Sequence, residues 1–371
     1  MNFSINKKNL YDALVEHNKV VPLRTTLPVL SCVVLVAKKN TLTLKTSDLE
    51  QTIISNQTAE INKEGKIALP ISKLLEIVSV LKEENLKISC NEDFLVEINS
   101  SQGVYKITGK NSEDFPETPS PQTKKTITIK GEDFINIIEK TGYASSKDDL
   151  KPALCGVYFN FSDKKITAVA TDGHKLVKHE QEVDQKTEEK TSIVLPLKFL
   201  NIVKTITKNK DSVVIKIGEN HAQTEQKNFT LITRTIKESF PDFNSVIPEN
   251  NKTIAEVETK EIINCLKRVS IFSNKTTKQT ILSFSSKGVM LSAQDIETST
   301  SAKEHLDCIF SGEEITTSYN AKYLIEVIQY LGGAKTNIYL NSALTAAVFQ
   351  TKENKSKEKT TSLLMPIRIN T

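Results

Sequence analysis

The chain reads as an α+β protein of three similar domains in tandem, each built from antiparallel sheets and carrying two helices. Three observations predict this. A strand-like segment followed by a helix-like one recurs about every 125 residues: 3–5 before 10–15, 127–129 before 134–138, and 254–257 before 262–269. Each copy then repeats the order in a second unit: 66–70 before 74–81, 192–196 before 200–206, and 315–320 before 324–331. Alternating apolar and polar residues fill much of the remainder, as in Thr41-Leu42-Thr43-Leu44, Leu86-Lys87-Ile88, residues 213–217 and Ile338-Tyr339-Leu340. A strand that alternates has one dry face and one wet one. Antiparallel sheets with helices on one side are therefore the economical packing.

The ends of these elements carry their own signals. A polar pair precedes the first helix of each copy: Asn6-Lys7, Lys130-Gly131 and Glu258-Thr259. Pro70 and Pro196 are expected in the first turn of the second helix, where a missing N–H costs nothing. Asn320 replaces them in the third copy as an N-cap. Turn-formers cluster at 116–125 and 249–252, which sets domains at 1–121, 122–250 and 251–371. The charged run 352–359 reads as a solvated hairpin tip.

Composition excludes several classes. Hydrophobic residues make up 38% of the 371 and charged residues 25%, which fits a folded protein and argues against disorder. No apolar run approaches the roughly 20 residues of a membrane span. The opening Met1-Asn2-Phe3-Ser4-Ile5-Asn6-Lys7-Lys8 lacks the basic-then-apolar order of a secretory leader, so the expected location is the cytoplasm. Five scattered cysteines (Cys32, Cys90, Cys155, Cys265, Cys308) form no Cys-x-x-Cys and suit a reducing compartment. The net charge is only +4, against a surface that grips nucleic acid everywhere. With only Arg24, Arg234, Arg268 and Arg368 as arginines, phosphate contacts would mostly be lysine point charges.

Signals for catalysis are weak. Asp172-Gly173-His174 admits a metal or general-base reading, because residues two apart on a strand share a face. The other histidines (His17, His179, His221, His305) show no ligand spacing, and zinc needs three or four protein ligands. A turn held by the Asp side chain and the glycine is the favoured reading. There is no Gly-rich phosphate loop, Gly-x-Ser-x-Gly elbow or His-Glu-x-x-His. The expectation is a protein without catalysis, cofactor or metal.

Several segments together carry a resemblance. They are Leu27-Pro28-Val29-Leu30, Ser47-Asp48-Leu49-Glu50, Ala170-Thr171-Asp172-Gly173-His174-Lys175-Leu176, Ser239-Phe240-Pro241-Asp242-Phe243 with Val246-Ile247-Pro248, and Leu364-Met365-Pro366-Ile367-Arg368. In this order the chain resembles, over essentially its whole length, the bacterial DNA polymerase III beta subunits, the replicative sliding clamps. The resemblance implies the DNA clamp fold, with two chains closing head-to-tail into a six-domain homodimeric ring around duplex DNA without reading sequence. It implies a processivity factor that tethers the polymerase III alpha subunit, is placed by a clamp loader, and serves other polymerases, mismatch-repair and ligase-type proteins. No membrane contact is implied.

The same resemblance assigns residues. A pocket for partner peptides between the second and third domains matches Leu154, Thr171, Gly173, His174, Lys175, Leu176, Pro241, Val246, Asn320, Tyr323, Leu344, Met365, Pro366, Ile367 and Arg368. Such a set offers apolar area with few polar groups to fix register, and Met365 adds adaptability. Lys175 stands where arginine is usual in the family, and Ser245 where a basic residue can stand. DNA contacts fall to Arg24 and Lys147 in loops and to Lys73, Lys198, Lys204, Lys267 and Arg268 on helices. Lys7, Lys8, Lys140 and Lys322 belong to the same helical set of basic residues. Weak contacts of this kind let a ring slide, whereas base-edge hydrogen bonds would arrest it. The subunit seam matches Tyr105 and Ile107 against Ile271 and Phe272. Two other classes stay open at this stage: a metal-dependent hydrolase on Asp172 and His174, and a repeat scaffold that binds peptides without encircling DNA.

Overall fold

The structure, a computed structural model, describes residues 1–351 and 357–368, with side chains throughout except at 184–189. Six helices occupy the positions set by the repeat: α1 (Lys7–Asn18), α2 (Ile71–Val80), α3 (Gly131–Thr141), α4 (Leu197–Ile206), α5 (Thr259–Val269) and α6 (Ala321–Leu331). Each is preceded directly by a strand. Asn6 caps α1, its side chain accepting from the N–H groups of Lys8 and Asn9, and Asn320 does the same for Lys322 and Tyr323 of α6. Pro70 and Pro196 stand one step earlier than expected, each as the last residue of its strand. Strand runs into helix with no loop between them, so the proline closes one element while its fixed φ starts the next. The expected hairpin tip at 352–359 falls mostly on residues 352–356, which lie outside the described residues.

The chain divides into two compact units, each taking part of the middle third of the sequence. One comprises Met1–Gly131 and Lys198–Thr235; the other comprises Glu132–Leu197 and Ile236–Thr371. The first unit holds a five-stranded antiparallel sheet in the order Glu60–Lys63, Asn2–Asn6, Asn85–Cys90, Leu95–Ser100, Gly103–Thr108. Its second sheet has eight strands. In it Phe229–Arg234 pairs with Gln51–Thr58, in register from Phe229↔Ser55 to Thr233↔Gln51. Leu10 and Leu14 of α1 and Leu74 and Val78 of α2 share one core with Phe3, Ile5, Leu35 and Leu86 from the two sheets. The i, i+4 spacing of each helical pair is what aims it at that core.

The second unit repeats the plan. Its seven-stranded sheet places Glu358–Leu364 beside Lys175–Pro196, in register from Lys175↔Leu364 to Gln181↔Glu358. A four-stranded sheet runs Thr300–Leu306, Gly288–Asp295, Gln279–Ser285, Ile315–Asn320. On α5 the buried residues Ile262, Cys265, Leu266 and Val269 follow the helical period, while Lys267 and Arg268 face out. Helix α6 ends at Gly332, whose φ of +75° suits a glycine, and Lys140 of α3 donates to the carbonyls of Tyr330 and Leu331 at that end. Lys140 is therefore engaged in holding α6.

Two histidines lie buried on the helix-facing side of these sheets. In the first unit His17 Nδ1 lies 2.9 Å from Thr46 Oγ1 and Nε2 lies 2.8 Å from Ser55 Oγ. The Thr46 hydroxyl donates to the His17 carbonyl at 3.2 Å, so it accepts from Nδ1–H, and Nε2 accepts from Ser55. Burial pulls the His17 pKa down to about 3 from an ordinary 6.5. In the second unit His179 bonds Thr360 through Nδ1, and burial pulls its pKa down to about 4. Both rings are neutral in the folded chain. Their folded pKa values lie below the unfolded one, so the unfolded chain takes up protons first as the pH falls. The stability they contribute is complete above pH 6.5 and is lost toward pH 3–4. A His17→Gln variant, less stable at neutral pH, should lose less stability than the parent between pH 6.5 and 4. The pH dependence of the unfolding free energy, measured by urea unfolding at each pH, should differ between the two by up to about 1.4 kcal/mol per pH unit.

Candidate peptide-docking site

The site is built around one turn. Between strands Gly156–Thr171 and Lys175–Pro196, Asp172 Oδ1 accepts the N–H groups of His174 and Lys175, both at 2.9 Å. Thr171 Oγ1 donates to the Lys175 carbonyl at 2.7 Å and accepts from Gly173 N–H at 3.1 Å. Gly173 has φ +90°, where a side chain would be strained. These are the bonds of an Asp-held turn. Among the described residues no group of three His, Cys, Asp or Glu is placed to hold a metal ion.

The first unit contains the same turn, residue for residue. Asp48 Oδ1 accepts from Glu50 and Gln51, Ser47 Oγ donates to the Gln51 carbonyl, and Leu49 N–H donates to Ser47 Oγ. Leu49, in the place of Gly173, has φ +77° and is half-exposed. The partner strand closes on each turn alike: Arg234 N–H donates to Glu50 O, and Met365 N–H to His174 O, both at 2.8 Å.

Lys175 is a buried ion. It is 6% exposed; its Nζ lies 2.6 Å from Glu326 Oε2 and 3.6 Å from Asp172 Oδ2. The ammonium also sits over two rings, 4.7 Å from the centroid of Tyr323 and 5.6 Å from that of Tyr143. Tyr143 stacks on Tyr330 at 4.4 Å, its hydroxyl lies 3.4 Å from Ser362 Oγ, and burial pushes its pKa upward. The His174 ring stacks on Tyr323 at 5.9 Å. Lys175 therefore fastens the turn to α6 and is withheld from solvent.

The opposite face of the sheet supplies the apolar floor. Leu176, Val169, Ala346, Val348 and Leu363 are buried together, with Tyr158, Phe240, Phe243 and Ile247 packed against them. Tyr158 and Phe240 stack at 5.2 Å. Close in sequence to members of this floor, Val246, Leu344 and Met365 are 53%, 68% and 49% exposed, and Pro241 is exposed as well. Leu154 is half-buried in a 3-10 turn, its carbonyl accepting from Ser146 N–H. The last described residues are stitched down. Ile367 exchanges bonds with Ser318 (N–H to O at 2.8 Å, carbonyl from Oγ at 2.7 Å), and Gln279 donates to the Arg368 carbonyl. Pro366 is half-buried between those anchors. The sheet thus splits the candidate set: Leu176 joins the apolar cluster, while His174, Lys175 and Tyr323 meet on the helix side.

Sequence reasoning missed Tyr143 and Glu326. A single acid on a helix surface gives no sign of a buried lysine far along the chain. Phe240 and Phe243 had a signal, the Phe-Pro-Asp-Phe motif, which marked them as a segment without showing that they cover the sheet.

The candidate DNA contacts differ in electrostatic state. Arg24, Lys147 and Lys267 are exposed and make no ion pair among the described residues. Lys73 pairs with Glu76 at 2.9 Å, Lys198 with Asp48 at 2.5 Å, and Arg268 with Glu304 through two nitrogens. Lys204 is half-buried on α4. Of the seam candidates, Ile271 and Phe272 are 77% and 37% exposed. Tyr105 is half-buried, and Ile107, at 6% exposure, belongs to the core of the first unit. Alternation along Gly103–Thr108 turns both toward that core and Val104 and Lys106 away from it.

Removing one partner of a buried pair strands the other, whereas replacing both with apolar groups removes the desolvation cost. Glu326→Leu alone should cost about 2 kcal/mol or more, and Lys175→Met with Glu326→Leu should recover most of that loss. Urea unfolding of the four proteins of the double-mutant cycle checks it.

Comparison with known proteins places the whole chain. Three family models match it in succession: DNA polymerase III beta subunit, N-terminal domain, over residues 1–119; central domain, over 128–242; and C-terminal domain, over 244–368. The beta sliding clamp of Vibrio cholerae is 25% identical over 370 residues, covering 100% of both chains. That of Bacillus subtilis is 26% identical over 384 residues, covering 99% of this chain and 100% of the relative. Among solved structures, the Bacillus subtilis DNA polymerase sliding clamp has a TM-score of 0.92 at 25% identity, over 100% of both chains. The DNA polymerase III subunit beta of Pseudomonas aeruginosa has a TM-score of 0.91 at 23% identity, over 99% of this chain and 100% of that one. With the three domain models in order from residue 1 to 368, the chain belongs to the bacterial DNA polymerase III beta subunit family, the beta sliding clamps.

Proposed function

We propose that the chain is the processivity factor of a replicative DNA polymerase: a non-catalytic homodimeric ring that encircles duplex DNA and slides on it. The observation that carries this reading is the ordered match of all three beta-subunit domains along one chain. The expected partners are duplex DNA of any sequence, the polymerase III alpha subunit and the clamp loader. Other polymerases and mismatch-repair or ligase-type proteins would use the same docking site, with its floor at Leu176 and its rim at Pro241, Val246, Leu344 and Met365. A cytoplasmic site of action follows from that role. No described helix is long and apolar enough to cross a membrane.

The electrostatics suit sliding. Pairing Lys73, Lys198 and Arg268 with carboxylates leaves a few unpaired cations, such as Arg24, Lys147 and Lys267, for diffuse contact with phosphates. Two free sheet edges suit a dimer. Gly103–Thr108 and Thr300–Leu306 are each the terminal strand of their sheet, with unpaired backbone groups that invite another strand. The 3-10 turn Ser270–Phe272 packs beside Thr300–Leu306 and puts Ile271 and Phe272 at that edge. An Ile271→Ala, Phe272→Ala double variant should sediment as a folded monomer; a full dimer would sink the seam assignment.

The function itself is tested by changing DNA topology. The protein is loaded onto nicked circular DNA with a clamp loader and ATP, the complex is isolated, and half is linearised. Release from the linear form with retention on the circle is expected for a topological link. Equal retention on both would mean that direct contacts hold the protein. Failure to dimerise or load would favour a peptide-binding scaffold.

A further inference from the structure

We propose that loop 270–278 is a third DNA-contacting loop, in which Lys275 and Lys278 meet the phosphates of duplex DNA beside Lys322. The proposal rests on the sliding reading above and names a contact surface for it. In each copy of the repeat the first helix runs through one loop into the next strand: 19–31 after α1, 142–155 after α3 and 270–278 after α5. The first two loops carry the candidate contacts Arg24 and Lys147. The third, at the equivalent place, carries two exposed lysines. Between this loop and the start of α6 lies a cavity of about 430 Å³, lined in part by Lys275, Lys278, Lys322 and Glu326.

The charge in this cavity is one-sided. Its single acid, Glu326, is taken by the buried Lys175, 2.6 Å away. Lys275, Lys278 and Lys322 are exposed and make no ion pair among the described residues. Lys322 also lines the recess that holds Lys147, so unpaired lysines of both loops converge on the start of α6. The backbone donors nearby are spent inside the loop and the helix cap. Asn274 Oδ1 accepts from the N–H groups of Thr276 and Thr277, Ala321 N–H donates to the Lys278 carbonyl at 2.8 Å, and Asn320 takes the N–H groups of Lys322 and Tyr323. Recognition is left to point charges on flexible stems. That suits a phosphate chain moving past, because backbone contacts carry charge and no sequence information. An acidic peptide is the weaker candidate: the exposed apolar side chain in the lining is Ile271, which the seam reading gives to the second subunit.

The test is fluorescence anisotropy of the full chain with a labelled duplex of about 20 base pairs, between about 50 and 200 mM salt. Lys275→Gln with Lys278→Gln should weaken binding about tenfold at about 50 mM and flatten the slope of log K against log salt by about 1–2. Lys275→Arg with Lys278→Arg should restore both. Lys164→Gln with Lys287→Gln, exposed lysines elsewhere in the same unit, should change neither. An unchanged slope in the first pair, no recovery with arginine, or an equal loss in the control pair overturns the proposal. So does a parent protein without measurable affinity for the duplex. Normal duplex binding with impaired loading by the clamp loader overturns it too, since the lysines would then serve a protein partner. Loss of the parent from an intact nicked circle would overturn the sliding reading instead, whatever the salt slope.

Discussion

Everything in each compact unit hangs on one strand pairing that joins distant parts of the chain. In the first unit Phe229–Arg234 lies along Gln51–Thr58; in the second Glu358–Leu364 lies along Lys175–Gln181. Each pairing ends on a backbone bond to an Asp-held turn, from Arg234 to Glu50 and from Met365 to His174. Because side chains alternate, the register decides which residues meet the helices and which meet the other face. It puts Leu363 with Leu176 on one side and Leu364 in the helix-facing core on the other. A slip of one residue would exchange the Leu176 cluster, the candidate docking floor, for the core.

Polar groups inside this frame are held in distinct ways. His17 is neutral and satisfied by hydroxyls, whereas Lys175 is paired with carboxylates and covered by rings. A buried ammonium is costly unless matched, so Glu326 and the turn carboxylate are part of how the site keeps its shape. Arginine would spread its charge over a planar fork; lysine concentrates it at one point that a single carboxylate can reach. The choice of lysine at 175 thus changes which neighbours are consumed by the fold and which remain to meet a partner.

How much of this was legible in the sequence follows the reach of each signal. All six helices and their caps at Asn6 and Asn320 were readable, because period and capping are local. The turn at Asp172 was readable for the same reason. The Leu176 floor was reached only through the family resemblance, since an apolar residue in a strand gives no sign of which face it serves. The pairing of residue 51 with residue 233 was not legible: nothing near either residue marks its partner. Nor was the burial of Lys175, which needs Tyr143 and Glu326 brought from separate elements. The assignment of Ile107 to a seam met the same limit, since alternation reveals a face but not whether a core already covers it.

The pairing of Gln51 with Thr233 also sets the order in which the protein can be completed during synthesis. The eight-stranded sheet cannot finish until its fourth strand in sheet order has left the ribosome, and the seven-stranded sheet must wait for Glu358–Leu364. At about 5–20 residues per second, the edge of Gln51–Thr58 stays uncovered for on the order of ten seconds or more. That strand carries adjacent Ile53 and Ile54 and no charged residue along its length, a stretch that invites mispairing while it waits. For a molecule required whenever its cell copies DNA, the vulnerable interval lies in its manufacture, before any partner is met.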